Sequence, residues 1–164
     1  MMNDIIHLKD VIQEDFVNYK KPSMFLITAH CNWKCCIENS IPITSCQNQS
    51  LVTTNTKQFY IYEIIDSYLK SEITHAVVFG GLEPFEQISE LFDFINEFRK
   101  RSNDEIVIYT GFNKEELNSE VLYLKPYKNI IIKFGRFIPN QKPHYDEVLG
   151  VDLCSDNQYA ERIS

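Results

Sequence analysis

Residues 75–109, HAVVFGGLEPFEQISELFDFINEFRKRSNDEIVIY, decide the fold class. His75 to Phe79 is a short apolar run closed by Gly80 and Gly81, as expected of a buried strand. Phe85, Ile88, Leu91, Phe92, Ile95 and Phe98 then recur at the 3.6-residue period of one helix face, running to about Arg101. Glu105 to Tyr109 is apolar and β-branched again. Strand, helix and strand in this order predict a βαβ unit and a parallel sheet.

The pattern extends in both directions. Met24 to Ala29 (MFLITA) reads as an earlier strand that ends at the first cysteine. Lys57 to Leu69 carries Phe59, Ile61, Tyr62, Ile64, Ile65, Tyr68 and Leu69 at roughly helical spacing, with Asn55 and Thr56 as caps. Lys114 to Leu122 reads as a third helix and Asn129 to Lys133 (NIIIK) as a fourth strand. These units are too few for an eight-stranded barrel of about 250 residues. The expectation is an α/β fold, either an incomplete (βα) barrel or a short doubly wound, mostly parallel sheet. In both, functional residues belong at the C-terminal ends of the strands. The chain, 1–164, is expected to be a single domain with a polar cap segment from about 135.

Composition narrows the function classes. Apolar residues make up 44% and charged residues 24%, the balance of a globular protein. A net charge of −7 argues against a nucleic-acid surface. No apolar run has spanning length, and Met1 to Asp10 lacks the basic and apolar regions of a signal peptide. A cytoplasmic, membrane-free location is the expectation.

Four of the five cysteines, Cys31, Cys35, Cys36 and Cys46, fall within sixteen residues. In a reducing compartment such crowding points to metal or redox chemistry before disulfides. Soft sulfur donors favour iron–sulfur or zinc. A structural zinc site takes four closed ligands, often from two CxxC pairs, and no such pair occurs here. Three thiolates suit a four-iron cluster with one iron left open. His7, His30, His75 and His144 are scattered and suggest no ligand set, and Cys154 reads as a small packing residue.

Cys31-Asn-Trp-Lys-Cys35 resembles the start of the CxxxCxxC motif of the radical S-adenosylmethionine (SAM) superfamily. Cys46-Gln47-Asn48 resembles the third-cysteine segment of the anaerobic ribonucleotide reductase activases within it. The family spacing would place that ligand at Glu38, so Ile37 to Ser45 reads as an insertion. Gly80-Gly81-Leu82-Glu83-Pro84 resembles the family's GGEP motif, split by Leu82. Glu105 to Leu117 with Tyr109-Thr110-Gly111, then Phe134-Gly135-Arg136-Phe137 and Ser155-Asp156-Asn157-Gln158, are similar to later activase segments, and Asp15-Phe16-Val17-Asn18 to an earlier one.

The resemblance implies an incomplete barrel of the radical SAM type holding a [4Fe–4S] cluster on Cys31, Cys35 and Cys46. Cys36 is the alternative middle ligand; Cys35 keeps the first spacing intact. It implies SAM binding by Gly80, Gly81, Glu83, Pro84 and Gly111, with no catalytic side chain beyond cluster and SAM. The implied reaction is reductive SAM cleavage that generates a glycyl radical on an anaerobic ribonucleoside-triphosphate reductase. A flavodoxin-like or ferredoxin-like protein would donate the electron. The alternatives are a radical SAM enzyme acting on another protein, peptide or small molecule, and a non-catalytic iron–sulfur or zinc protein.

Overall fold

The structure, a computed structural model, describes residues 4–164; Met1 to Asn3, the start of the stretch weighed as a signal peptide, lie outside the described residues. Its elements are β1 (Ile5–Asp15), β2 (Ser23–Thr28), α1 (Lys34–Glu38), α2 (Gln49–Val52), β3 (Lys57–Tyr60), α3 (Ile61–Lys70), β4 (Ala76–Gly81), α4 (Ile88–Arg99), β5 (Glu105–Tyr109), α5 (Asn118–Leu124), β6 (Ile130–Phe134), β7 (His144–Asp146), β8 (Val151–Leu153) and β9 (Tyr159–Arg162). Among the described residues no helix is long and apolar enough to cross a membrane.

The main sheet has seven strands in the order β3-β1-β2-β4-β5-β6-β9. The four central strands, β2, β4, β5 and β6, run parallel, in the four places where the apolar runs predict strands. β1 and β9 flank them antiparallel, and β3 pairs antiparallel with β1. The fold is therefore mixed α/β with a mostly parallel centre, and the sheet is open, ending at β3 and β9. The parallel strands follow one another in one spatial direction, so right-handed crossovers place α3, α4 and α5 on the same face.

Alternation along the strands separates two cores. Met24 and Leu26, Val77 and Phe79, Ile106 and Ile108, and Ile130, Ile132 and Phe134 face the helices. There they meet Ile64, Ile65, Leu91, Phe94, Ile95, Phe98, Val121 and Leu124. Phe79 and Phe94 pack edge to face at 5.1 Å and 84°. Burying each such ring is worth on the order of 2–3 kcal/mol. On the other face, Ala76, Val78, Val107 and Ile131 meet Tyr19, Leu149, Leu153 and Ala160. The tail from about 135 thus contributes apolar side chains, a two-stranded hairpin of β7 and β8, and the edge strand β9.

Two expectations need correction, and β1 adds a strand beyond those expected. Lys57 to Tyr60 is a strand, and helix α3 starts only at Ile61, with Tyr60 rather than Asn55 or Thr56 at its N-cap. Pairing of Ile5 with Tyr60 and Leu8 with Lys57 satisfies backbone groups that a first helical turn would leave open. β1 carries charges at Lys9, Asp10, Glu14 and Asp15, which hid its alternation; Ile6 and Leu8 are nevertheless buried. The helices after β4 and β5 each open with a 3₁₀ turn, Pro84–Gln87 and Lys114–Leu117.

Candidate iron–sulfur site

The C-terminal ends of the parallel strands β2, β4, β5 and β6 lie at one edge of the sheet, and residues at or just beyond them line one cavity. Their connecting loops are laced together by hydrogen bonds. Thr28 Oγ1 donates to the Gly80 carbonyl at 2.8 Å, and the Ala29 amide donates to Gln87 Oε1 at 2.9 Å. The Glu83 amide donates to the His30 carbonyl at 2.6 Å. The loop leaving β2 and the Gly80–Pro84 turn leaving β4 are therefore held as one unit.

Cys31 sits on that loop, and the Trp33 amide donates to its Sγ at 3.3 Å. Trp33 has a φ of 61°, which swings the chain into α1. On α1, Cys35 is half-buried whereas Cys36 is only 2% exposed. Successive helical side chains diverge by about 100°, so the two neighbouring thiols occupy different environments. Ile37 to Ser45, read as an insertion, comprises the end of α1, a turn at Asn39 and Ser40 and a 3₁₀ turn at Ile43–Ser45. It returns Cys46 to the cavity lined by Cys31 and Cys35. The Asn48 amide donates to Cys46 Sγ at 3.4 Å, and its side chain donates to the Gly81 carbonyl at 2.6 Å.

All five cysteines line one cavity of about 480 Å³, together with Gly80, Gly81, Glu83, Thr110, Gly111, Lys133 and Gly135. Pro84 lies just behind, buried at the start of the 3₁₀ turn. A Cβ built on Gly111 would stand 3.2 Å from Cys35 Sγ, so this glycine leaves the space beside the thiol open. Gly81 has a different constraint: its φ is +90° and a Cβ would meet Ile27 Cγ2 at 2.5 Å.

Glu83 is the knot of the site. It is 6% exposed, and Oε1 accepts from the Phe85 amide at 3.1 Å and Thr110 Oγ1 at 2.8 Å. Oε2 accepts from the Gly111 amide at 2.9 Å. Burial pushes its carboxyl up to about 7, against the pull of these donors and of Lys133. Both oxygens serve protein donors, so the visible role of Glu83 is to tie the β4 turn to the β5 loop.

Lys133 carries no role in the reading of the sequence, and the structure brings it to the cavity wall. Its Nζ donates to the Thr110 carbonyl at 3.3 Å and the Gly135 carbonyl at 3.2 Å. The available signal is a charge ending the apolar run Ile130 to Ile132, where interior positions seldom tolerate one. Arg136 is a second such residue. It forks onto Glu116 through two bonds of 2.6 Å, and its Nε lies 2.6 Å from Glu38 Oε2 on α1. Lys34 of α1 reaches the same Glu116 at 3.2 Å, so this ion network clamps the cysteine helix. In the tail, Asn157 Nδ2 donates to the Arg136 carbonyl at 2.8 Å. Gln158 Oε1 accepts from the Cys154 and Ser155 amides, at 3.1 Å each. Gln47 Nε2 lies 2.8 Å from Cys154 Sγ, joining the tail to the cysteine loop.

Among the described residues no three His, Cys, Asp or Glu side chains converge on a single ion. A four-iron cube needs something else: its thiolates approach separate corners and surround a body. The donor set fits that demand, with thiols distributed around one cavity and an opening beside Cys35 that any side chain at Gly111 would fill. Burial raises the Cys31 thiol to about 11 and pushes Cys35 and Cys36 upward as well. Free, these groups are protonated and inert; loading a metal releases their protons.

No curated protein and no solved structure matches the chain. A family model described as a 4Fe-4S single cluster domain does match, over residues 22–158. That span runs from the start of β2 through the cysteine loop and the βαβ core to Gln158, and the chain belongs to this 4Fe-4S single cluster domain family.

Proposed function

We propose that the chain is a radical SAM activase that cleaves SAM reductively and sets a glycyl radical on an anaerobic ribonucleoside-triphosphate reductase. The observation that carries this reading is the meeting, in one cavity, of the cysteine loop, the Gly80–Pro84 turn and Gly111. The cavity of about 480 Å³ falls within the range of small-molecule sites. Held by Cys31, Cys35 and Cys46, a [4Fe–4S] cluster would supply the electron for reductive cleavage of SAM to methionine and a deoxyadenosyl radical.

The residues of this chain bind and orient. Cys31, Cys35 and Cys46 hold the cluster. Gly80 and Gly81 offer bare backbone as a wall for SAM, Pro84 fixes the turn that follows, and Glu83 sets its distance from Gly111. Gly111 leaves room beside Cys35, and the sheet below excludes water. Val17 is 75% exposed and lines the cavity, which supports entry of the reductase loop from that side. A flavodoxin-like or ferredoxin-like donor supplies the electron, in the cytoplasm, in a domain of barrel-like radical SAM type.

The test is anaerobic reconstitution, reduction with dithionite and addition of SAM, with 5′-deoxyadenosine and methionine quantified by chromatography. Equal amounts of both, dependent on the cluster, are expected. A loaded and reduced cluster that gives neither product, with reductase present, overturns the reading. If SAM is split but no reductase glycine becomes a radical, a different protein, peptide or small molecule is the substrate.

One observation favours a second reading. Cys154 lines the same cavity as the other four thiols. As a fourth ligand it would close the cluster and leave an electron carrier without SAM chemistry. A Cys154→Ala variant that loses its cluster supports that reading; one that keeps it supports the first.

A further inference from the structure

Of the charged residues lining the cavity, Glu83, Asp152 and Lys133, only Lys133 is a cation among the described residues. It stands on the cavity-facing side of β6, two residues beyond Ile131, and is 7% exposed. Carbonyls of Thr110 and Gly135 pin its Nζ, which also lies 5.9 Å from the centre of the Tyr109 ring. Carbonyl oxygens fix the position of the ammonium without cancelling its charge. No carboxylate comes within ion-pair distance of it among the described residues. Glu83, in the same cavity, attracts the ammonium from beyond ion-pair distance. A buried charge without a direct ion pair is costly, and its place in a cavity lined by thiols gives that charge a use.

We propose that Lys133 is a positioning cation for the cluster: its fixed positive charge raises the cluster's reduction potential and makes the one-electron reduction easier. When the cluster takes one electron from a low-potential donor, the thiolate-bound core gains one negative charge and no bond is made or broken. Nearby fixed charge is one of the terms that set such potentials. In a partly buried setting the effective dielectric is about 20 rather than 80, and at a separation of about 12 Å one unit charge then shifts an equilibrium about tenfold. Lys133 falls in pKa to about 8 through burial, which leaves it charged at neutral pH. The inference rests on the cluster and not on SAM cleavage, because the potential is measured without SAM.

The experiment is a dithionite titration of the reconstituted full chain, followed by electron paramagnetic resonance of the reduced cluster. Wild type is compared with Lys133→Met, Lys133→Gln and Lys133→Arg. At the wild-type midpoint, both neutral variants are expected to be reduced about tenfold less, a shift of about 59 mV for a one-electron couple. The Arg variant is expected to stay within about threefold of wild type. A neutral variant that holds its cluster with an unchanged midpoint overturns the proposal. Should both neutral variants fail to load iron, circular dichroism and Lys133→Arg decide. Folded neutral chains beside a loaded Arg variant uphold the need for charge, whereas failure of all three shows a purely structural lysine and overturns it.

Discussion

The Glu83 carboxylate accepts a hydrogen bond from the Gly111 amide at 2.9 Å, joining the turn after β4 to the loop after β5. A separate amide, that of Glu83 itself, bonds the His30 carbonyl beside Cys31. One residue thus sets the spacing of three loops. Removing its side chain strands three donors in the interior, at about 1–3 kcal/mol for each group left without a partner. Glu83→Ala is expected to lower stability by about 3 kcal/mol or more and to reduce iron loading, both measurable on one preparation by urea denaturation and iron analysis. Loss of iron with unchanged stability would show that Glu83 acts on the cluster directly.

The cysteines divide by environment. Cys31, Cys35 and Cys46 are half-buried around the cavity, while Cys36 is almost fully enclosed. Single Ala variants at the first three are expected to lose the cluster's visible absorbance and about four irons per chain. Cys36→Ala and Cys154→Ala are expected to keep both. If Cys36→Ala loses the cluster while Cys35→Ala retains it, the middle ligand is Cys36.

The two glycines separate fold from site. At Gly81 a side chain must adopt a φ of +90° and collide with Ile27, so Gly81→Ala is expected to destabilise the protein. The cost is about 2–4 kcal/mol from strain and overpacking together. At Gly111 no such φ is imposed, and the added methyl meets only Cys35 Sγ and Glu83. Gly111→Ala is expected to unfold within about 1 kcal/mol of wild type yet hold its cluster poorly. Thermal unfolding of the apo-protein and iron content of the reconstituted protein check the pair.

The clamp on α1 predicts a pH dependence. Hydrogen bonds from Arg136 hold the Glu116 carboxyl down at about 2, below its unfolded value of about 4.3. A carboxylate whose folded pKa is depressed stabilises the fold above the unfolded pKa, and that contribution is lost as pH falls through the folded one. Glu116 keeps some solvent contact, so about 1–2 kcal/mol is expected after screening. Stability should fall between about pH 5 and pH 2, and Glu116→Gln should flatten that part of the profile. Denaturant midpoints of the apo-protein at several pH values measure it.

Activation of a partner is tested directly. Reduced protein, SAM and an anaerobic ribonucleotide reductase should together give a glycyl-radical doublet in the paramagnetic resonance spectrum. Changing the reductase glycine to alanine should abolish it. Val17→Glu, at the exposed cavity edge, is expected to lower the yield of the doublet at least severalfold while leaving iron content unchanged. SAM cleavage without any doublet would sink the activase assignment.

By itself, the sequence determined the parallel core. The runs at Met24, His75, Glu105 and Asn129 are short, apolar and separated by helical periods, and burial on both faces permits only that arrangement. It also pointed to metal or redox chemistry, because four thiols in sixteen residues admit few other uses, while the match to the 4Fe-4S family selects iron–sulfur over zinc. The edges were decided by tertiary structure. β1, β3 and β9 are strands because neighbours satisfy their backbones, and pairing partners at a distance leave little periodic trace in polar segments. Lys133 and Arg136 were likewise beyond the sequence: a charge ending a strand or opening a loop has no role until the fold fixes what it faces. Lys133 faces a cavity of thiols and Arg136 the carboxylates of Glu38 and Glu116, through contacts that span up to 98 residues between Arg136 and Glu38. Such long-range pairings depend on which loops the sheet brings to one end, and that is set by strand order.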